Sequence, residues 1–295
     1  MQQKVIVFGG GGQLGIELCR EFERRQWIVQ RFDRHMLDIT DAPAVEKTIA
    51  EADPQVVINA AAYNQVDIAE SEPVLAFTIN ALAVRNLAVA CRQTGAQLVH
   101  YSTDYVFDGT KGSPYIETDA PHPLGAYAVS KLGGELYAGA YLDDPLIIRT
   151  SGVFGPAGMF TPRSNFPELM LRLAKDGKPI RVVADHVASP TYAPAMASRT
   201  ADLVERGIRG VFHLGGGEPI SWYAYAKLIF ELAGLEPSLT PTNEREYRTA
   251  ARRPKFSALS NSKLESLGIA PMPPLRKAIA DYFQARQHVT AHRAV

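Results

Sequence analysis

Tyr127 and Lys131 lie four residues apart and have side chains suited to moving a proton. Four residues is slightly more than one helical turn, so in a helix both side chains project from the same face. An ammonium group beside a phenol favours the phenolate and lowers a pKa that is otherwise about 10. The pair therefore predicts acid–base catalysis near neutral pH. The spacing alone also fits two exposed residues on a surface helix, so the surrounding sequence must decide between the two.

A glycine-rich loop near the N-terminus provides that context. Gly9, Gly12 and Gly15 follow a strand-like run and begin a helix-like one. In such loops the first glycine permits a tight turn, the second lets a diphosphate approach the backbone, and the third lets helix pack on strand. The N-terminus of the helix favours the anion. The loop predicts a dinucleotide site, and together with Tyr127 it indicates a reductase.

The residues after the second predicted strand leave the choice of coenzyme open. Asp33 lies 24 residues after Gly9, where an acid binds the adenosine ribose, which favours NADH. Arg34 follows directly, and its guanidinium could bind the 2′-phosphate of NADPH. Asp38 and Ile39 could contact the adenine, although Asp38 also fits a turn cap. Both NADH and NADPH are therefore expected cofactors.

Two further strand ends carry residues suited to a cleft. The run NAAA at 59–62, which includes Ala61 and Ala62, lets a cofactor pass close to the backbone. Thr103 and Asp104 end the fourth predicted strand, facing the crevice where open α/β sheets bind ligands. A threonine hydroxyl there can hydrogen-bond a reacting carbonyl or the tyrosine.

Strand-like and helix-like segments alternate through the first half of the chain, which predicts an α/β fold with a Rossmann-type, doubly wound parallel sheet. Strands are predicted at 4–8, 27–32, 56–59, 98–102 and 146–150, and helices at 13–25, 42–52, 74–93 and from Tyr127 onward.

Beyond residue 152, prolines break this pattern, which predicts a smaller C-terminal α/β substrate lobe. Its helices are predicted at 164–175, 193–206, 221–233 and 272–286, while the strand-like runs 180–185 and 210–215 are expected to return to the first sheet. We therefore expect an NAD(P)-binding Rossmann domain over 1–152, a substrate lobe interleaved with it over 153–287, and a frayed tail over 288–295.

Composition excludes several other classes of protein. The 31 basic and 31 acidic residues give no net charge, so neither nucleic acid nor an anionic membrane is an expected partner. Cys19 and Cys91 each fall in a predicted helix and fit buried thiols rather than a disulfide. The first strand begins within a few residues, and no apolar run approaches 18 residues, so we expect a soluble, cytoplasmic protein.

Longer motifs then match a known family. They are NAAAYNQVDIAESEP at 59–73, HYSTDYVFDG at 100–109, YAVSKLGGE at 127–135, NF with MLRLA within 165–174, and ARRP at 251–254. With the glycine loop, they resemble the dTDP-4-dehydrorhamnose reductases, within the extended short-chain dehydrogenase/reductases. The resemblance runs from about residue 4 to 283.

The resemblance implies a reaction and a set of site residues. The reaction is NAD(P)H-dependent reduction of the C4 ketone of dTDP-4-dehydro-L-rhamnose to dTDP-L-rhamnose. Tyr127 would donate the proton, Lys131 would lower its pKa and hold the nicotinamide ribose, and Thr103 would orient the sugar carbonyl. Gln13 and Leu14 match the diphosphate loop. The remaining implied contacts are Ala62, Tyr63 and Asn64 to the nicotinamide half, and Val66, Asp67 and Asp104 to the sugar. Arg252 and Arg253 could bind the nucleotide diphosphate, and a solvated or salt-bridged role fits either of them equally well.

One departure from the family pattern concerns the sugar. Where these reductases commonly read RTSW, with the tryptophan against the sugar ring, this chain ends the motif in Gly152. Gly152 enlarges the substrate pocket or lets Phe154 or Phe160 fill it, so another nucleotide-linked 4-keto-6-deoxy sugar is a second possible substrate.

A regulatory protein and a dehydratase are less favoured than a reductase. A non-catalytic, NADP-binding regulatory subunit is disfavoured by the intact Thr103, Tyr127 and Lys131. A dehydratase is disfavoured because Asp104 is followed by Tyr105 rather than by a glutamate. The acidic residues that bind magnesium between subunits in some relatives are not evident, so no metal is expected, and a homodimer is left open.

Overall fold

The computed structural model describes residues 2–161 and 164–291 of the 295-residue chain. In chain order the strands are β1 (Lys4–Phe8), β2 (Ile28–Phe32), β3 (Val56–Asn59), β4 (Gln97–Thr103), β5 (Leu146–Thr150), β6 (Ile180–Val183), β7 (Val187–Ala188), β8 (Gly210–Leu214), β9 (Ile220–Ser221) and β10 (Leu239–Thr242). The helices are α1 (Gln13–Arg24), α2 (Ala42–Ala52), α3 (Pro73–Phe77), α4 (Ala83–Thr94), α5 (Ala126–Tyr141), α6 (Phe166–Lys175), α7 (Ala193–Glu205), α8 (Trp222–Ala233), α9 (Ser262–Ser266) and α10 (Leu275–Ala291).

Six parallel strands form the central sheet in the order β2-β1-β3-β4-β5-β8. Successive side chains of β1 alternate between two cores: Val5 and Val7 pack towards α1 and α7, whereas Ile6 and Phe8 pack towards α2 and α4. A sheet buried on both faces explains why these strands are continuous apolar runs. The doubly wound α/β fold predicted from the alternation is confirmed.

The order of the strands locates a ligand-binding cleft. The chain passes from β1 outward to β2 and then returns to β3 on the other side of β1. At such a switch point the loops after neighbouring strands separate, and ligands bind at the carboxyl ends of the strands. The glycine-rich loop and the NAAA run both begin at this point.

The second lobe has a core of its own, built mainly from α6, α8, α10 and β6 around the buried rings of Phe154, Tyr225 and Tyr282. The strand β8 joins the central sheet beside β5, as expected for 210–215. The expectation for 180–185 is wrong, because β6 pairs with β10 in a separate two-stranded sheet. Pro241 lies within β10, and because proline is rare inside strands, the sequence did not indicate a strand there.

A continuous helical stretch, Pro73–Thr94, comprises α3, a π-helical turn over Thr78–Leu82, and α4. By length and mean hydropathy (1.7) alone it could cross a membrane, so the expectation that no apolar segment approaches 18 residues is wrong by this measure. Half of the stretch is buried inside the protein, as in the core helices of soluble proteins. At the other end of the chain, α10 continues to Ala291 rather than fraying after 287, and 292–295 of the predicted tail lie outside the described residues.

Candidate active site

The carboxyl edge of the central sheet brings the predicted site residues together. The glycine loop follows β1, Ala61 follows β3, Thr103 ends β4, and Gly152 follows β5. The helix α5, which carries Tyr127 and Lys131, packs against β4 and the π-helical turn. Residues far apart in the sequence therefore line one cleft.

The glycine loop is packed so closely that side chains would not fit. Gly9 has a φ of +77°, and a Cβ built on it would lie 2.5 Å from the amide nitrogen of Ala61. A Cβ on Gly15 would lie 2.1 Å from the carbonyl oxygen of Gly9, which is what close packing of α1 on β1 requires. Gly12 begins α1 and has no side chain to cap it, so the first amides of the helix can bind an anion. The loop fits the diphosphate of a dinucleotide.

Gln13 joins this loop to the second lobe. Its Nε2 donates a hydrogen bond to the carbonyl oxygen of Val153 at 2.9 Å, and its Oε1 accepts one from Nδ2 of Asn165 at 2.8 Å. Asn165 is also the N-cap of α6, where its Oδ1 accepts from the amide of Glu168. The side chain of Gln13 therefore contacts the lobe, while that of Leu14 packs on the core below the loop.

The predicted adenosine contacts have mixed outcomes. Asp33 lies beside the loop, with its Cβ 3.1 Å from the position of a Cβ on Gly11. Its carboxylate accepts the amides of His35 and Met36, and these hydrogen bonds hold its pKa below the usual value. Arg34 is exposed beside it.

The next two predicted adenosine contacts lie further along the same segment. Asp38 caps a turn through the amide and hydroxyl of Thr40. The side chain of Ile39 is buried in the core, so a contact with the adenine, which stays a prediction, would come mainly from its backbone.

Tyr127 is half-buried at the start of α5 and lies close to the Thr103 side chain. Burial raises its pKa above the ordinary value, the Thr103 hydroxyl opposes this, and the nearby Asp104 and Tyr105 add to the increase. The ring of Tyr105 meets the Tyr127 ring edge-on, with centroids 6.1 Å apart. The tyrosine is thus a protonated phenol at neutral pH.

Lys131 is held by the backbone of β4. Its buried ammonium donates to the backbone carbonyl of Tyr101 at 2.6 Å, and burial lowers its pKa to about 8, with the charge of Glu135 opposing. Burial, Asp104 and Tyr105 all raise the pKa of Tyr127, and the lysine ammonium is held by β4. The lowering of the Tyr127 pKa by Lys131 stays a prediction.

Asp104 is 2% exposed and is held entirely by hydroxyl groups. It accepts hydrogen bonds from Thr103 at 3.1 Å, Ser151 at 2.8 Å and Ser257 at 2.5 Å. Burial raises its pKa to about 6, and the three hydroxyls limit the increase. Both oxygens are thus used inside the protein, which makes Asp104 the centre of a network reaching Tyr127 rather than an open contact for a sugar.

Asn80, which was not predicted from the sequence, links Tyr63 to the helix α5. It lies in the π-helical turn and is 1% exposed. Its side chain accepts from the amide of Tyr63 and donates to the Tyr63 carbonyl and to Ser130, each within 2.9 Å. Ser130 in turn donates to the carbonyl oxygen of Tyr127 at 2.7 Å. The sequence signal that could have identified Asn80 is a single amide side chain within the mainly apolar run FTINALAV.

The main contacts of the motif at 59–73 hold other site residues in place rather than line the cleft. Glu70 accepts the amide of Ala126 at 2.8 Å and so caps the helix that carries Tyr127. Asp67 forms a two-point ion pair with Arg253, at 2.6 and 3.1 Å. Val66 is half-buried next to this pair, and Ala62 and Asn64 are exposed on the way to it. Arg253 also lies close to Tyr105, so it connects the motif to the cleft.

Trp222, rather than either predicted phenylalanine, lies against Gly152. Gly152 has a φ of +49°, and a Cβ there would lie 3.2 Å from Cη2 of Trp222 and 3.4 Å from Cα of Pro190. Phe154 points into the core of the second lobe, so the expectation that it fills this space is wrong, and Phe160 is exposed. The first residue of α8 therefore places an indole beside the end of β5.

Comparison with known proteins accounts for this combination of loop, strand ends and helix. A family model described as the RmlD substrate binding domain matches residues 3–288. The chain belongs to the RmlD family. The family expected from the motifs is confirmed.

Characterised relatives of this RmlD-family protein cover nearly its whole length. The spore coat polysaccharide biosynthesis protein SpsK of Bacillus subtilis is 38% identical, over 96% of this chain and 98% of its own. The dTDP-4-dehydrorhamnose reductase of Escherichia coli is 37% identical, over 88% of this chain and 90% of its own. A crystal structure of dTDP-4-dehydrorhamnose reductase from Bacillus anthracis, in complex with NADP, superposes with a TM-score of 0.91 at 36% identity, covering 96% of this chain and 99% of that one.

Proposed function

We propose that this RmlD-family protein reduces the C4 ketone of dTDP-4-dehydro-L-rhamnose to dTDP-L-rhamnose with NADPH or NADH, in dTDP-rhamnose biosynthesis. The reductases among its relatives support the reaction, and the relative solved with NADP favours NADPH. In this proposal residues 1–152 bind the coenzyme and 153–287 form the sugar lobe. The enzyme acts in the cytoplasm on a nucleotide sugar, and its assembly into a homodimer is left to measurement.

The observation that carries the proposal is the placement of Tyr127 close to the Thr103 hydroxyl at the end of β4, beside a loop fitted to a dinucleotide. When bound, the nicotinamide coenzyme supplies a hydride to the ketone carbon. Tyr127 supplies the proton to the ketone oxygen, so the C=O bond becomes a CH–OH group. Because burial keeps the phenol protonated, that proton is in place before the reaction starts.

The neighbours of Tyr127 have supporting roles in this mechanism. Thr103 orients the carbonyl and the phenol, since its hydroxyl can both donate and accept. Lys131, whose ammonium donates to the carbonyl of Tyr101, is proposed to hold the nicotinamide ribose when the coenzyme is bound. Arg253, already oriented by Asp67, offers its guanidinium to the diphosphate of the sugar nucleotide.

A second candidate is another nucleotide-linked 4-keto-6-deoxy sugar, and the pair of Gly152 and Trp222 favours it. The indole approaches the end of β5 from α8 rather than from β5 itself, so the shape of the sugar pocket differs from one lined by a tryptophan at 152. The chemistry at Tyr127 is the same for either sugar.

The deciding experiment offers the purified protein dTDP- and UDP-linked 4-keto-6-deoxy sugars with each coenzyme. We expect loss of NADPH absorbance with dTDP-4-dehydro-L-rhamnose, and the C4 configuration of L-rhamnose in the product by NMR. Faster turnover of another keto sugar would favour the second candidate. No oxidation of either coenzyme, with coenzyme still bound, would replace the enzyme proposal with a non-catalytic, NADP-binding subunit.

A further inference from the structure

Asp185, His186 and Glu244 form a cluster outside the reductase site. One ligating atom from each lies within 4.8 Å of the other two. Asp185 and His186 form the turn between β6 and β7, and Glu244 follows β10, the partner strand of β6. The amide of Glu244 donates to Oδ2 of Asp185 at 3.2 Å, so the backbone already holds the two segments together.

Two polar atoms of this cluster are buried without a partner. His186 is only 7% exposed, and neither its Nε2 nor Oδ1 of Asp185 has a hydrogen-bond partner within residues 2–161 and 164–291. A buried polar atom left unpaired costs about 1–3 kcal/mol, so native proteins rarely keep two side by side unless something binds them.

The donor set selects the class of ion. One imidazole nitrogen and two carboxylates suit zinc and similar divalent transition metals, whereas magnesium prefers oxygen ligands and keeps several waters. Zinc ligands about 2.1 Å from the ion in tetrahedral geometry lie about 3.4 Å from each other. Since the present atoms span up to 4.8 Å, a side-chain rotation of Glu244 would bring its carboxylate into range. The fourth position is open to water.

Lys255 is the cation that competes for this site. Its ammonium lies 3.7 Å from Oε2 of Glu244, and 63% of its side chain is exposed. A pair so exposed contributes little and is screened by salt, so a divalent ion bound by three ligands would displace it. The lysine can turn into solvent without leaving a buried charge behind.

We propose that Asp185, His186 and Glu244 bind a divalent transition-metal ion of the zinc class, and that this ion clamps residues 243–257 onto the β6–β7 turn. The backbone of β7 already pairs with this segment, since Val187 donates to the carbonyl of Lys255 and accepts from the amide of Ser257, each at 2.8 Å. Arg253 lies between the clamp and that pairing. The ion would thus fix the part of the chain that carries Arg253, and it would take no part in the reduction itself.

Zinc binding tests the proposal directly. The chain is treated with EDTA, exchanged into metal-free buffer and titrated with zinc chloride by calorimetry. We expect one zinc ion per chain, and at least about tenfold weaker binding in His186→Gln, since even outer-shell changes alter metal affinity by that much. His122→Gln is the matched control, because His122 also lies beside a carboxylate, that of Asp108 at 3.2 Å, but on an exposed loop.

Limited trypsin digestion tests the clamp without depending on activity. Arg245 and Arg248 lie in the exposed segment after Glu244, and zinc should slow cleavage there at least about tenfold in the unaltered chain. Glu244→Gln, a surface change that leaves the core untouched, should remove the protection, whereas Glu246→Gln should retain it. The proposal is overturned if the unaltered chain takes up no zinc, or if His186→Gln and Glu244→Gln bind zinc as tightly as the unaltered chain.

Discussion

The wall of the cleft formed by α5 and the π-helical turn is held by buried polar groups, whereas the wall formed by the second lobe is held by partly exposed ion pairs. In the first, Asn80 and Ser130 are each 1% exposed, and the paired side chains of Glu135 and Arg149 are 5% exposed. In the second, the side chains of the Asp67–Arg253 pair are 42% and 21% exposed.

This difference in burial determines how firmly each wall holds its residues. Buried polar networks fix one geometry because an unsatisfied member is strongly destabilising. Exposed ion pairs contribute less and are screened by salt, so the residues they hold can change position more easily. The wall that carries the proposed proton donor is therefore rigid, while the wall that is proposed to bind the nucleotide sugar can adapt.

The largest expected effect comes from removing the phenol of the rigid wall. Tyr127→Phe should lower kcat by about 10²- to 10⁴-fold, because no other group supplies the proton, while coenzyme affinity stays the same. Stopped-flow turnover and fluorescence titration with NADPH measure the two quantities. Tyr137→Phe, on the same helix, is the control and should turn over normally. Retained turnover in Tyr127→Phe would contradict the proton-donor role.

The next prediction compares a buried pair with an exposed one. Glu135→Gln leaves the guanidinium of Arg149 buried and uncompensated, so the free energy of unfolding should fall by about 3–5 kcal/mol. Glu231→Gln breaks the exposed pair with Arg276 and should lower the free energy of unfolding by only about 0–1 kcal/mol. Urea denaturation measures both variants. Equal losses would mean that burial does not distinguish the two walls.

On the adaptable wall, Arg253→Lys should raise the KM for the sugar nucleotide about tenfold and leave kcat nearly unchanged. A lysine cannot bind both carboxylate oxygens of Asp67 and also present a planar donor to the ligand. The matched change Arg248→Lys, at an exposed arginine of the same segment, should alter neither constant. A fall in kcat at constant KM would place Arg253 with the chemistry instead.

The smallest effect is a pH dependence that arises where the two walls meet, at Asp104. Its carboxyl has a pKa of about 6 in the native protein and about 3.8 when unfolded, so between these values the folded chain holds a proton that the unfolded chain releases. The stability from this group is complete below the unfolded pKa and is lost as pH rises through about 6.

Thermal unfolding across pH 4–6 checks this sign. Asp104→Asn should remove that part of the pH slope. Asp108→Asn should leave it in place, because hydrogen bonds from Thr110 lower the pKa of Asp108 to about 2, outside the window. An unchanged slope in Asp104→Asn would show that another group titrates there.

Most of the sheet could be predicted because each central strand is a short apolar run between turn residues. β3 and β5 begin and end where predicted, since both faces of those strands are buried. The second lobe was harder, as β7 and β9 have only two residues each and β10 contains Pro241. Such short pairings depend on tertiary contacts rather than on local pattern.

Site residues could be predicted where a local motif identifies them. They could not be predicted where their contacts are with residues distant in the sequence. Gly9 could be placed from the spacing of the glycine loop, and Tyr127 from its spacing to Lys131 together with the surrounding motifs. The π-helical turn interrupts the helical period, so the inward direction of Asn80 could not be read from the sequence. Lys131 is held by a backbone carbonyl that no residue type reveals. The indole that meets Gly152 comes from Trp222 in a different element, and only the folded chain brings them together.

The bridge that Gln13 makes between the glycine loop and the second lobe has a thermodynamic consequence. One amide side chain contacts the backbone of Val153 and the cap of α6, so any shift of the loop upon occupancy is transmitted to the lobe. Linkage then requires reciprocity: if coenzyme tightens the binding of sugar nucleotide by some factor, sugar nucleotide tightens coenzyme by the same factor. The two ligands would bind cooperatively, and the degree of cooperativity would depend on Gln13.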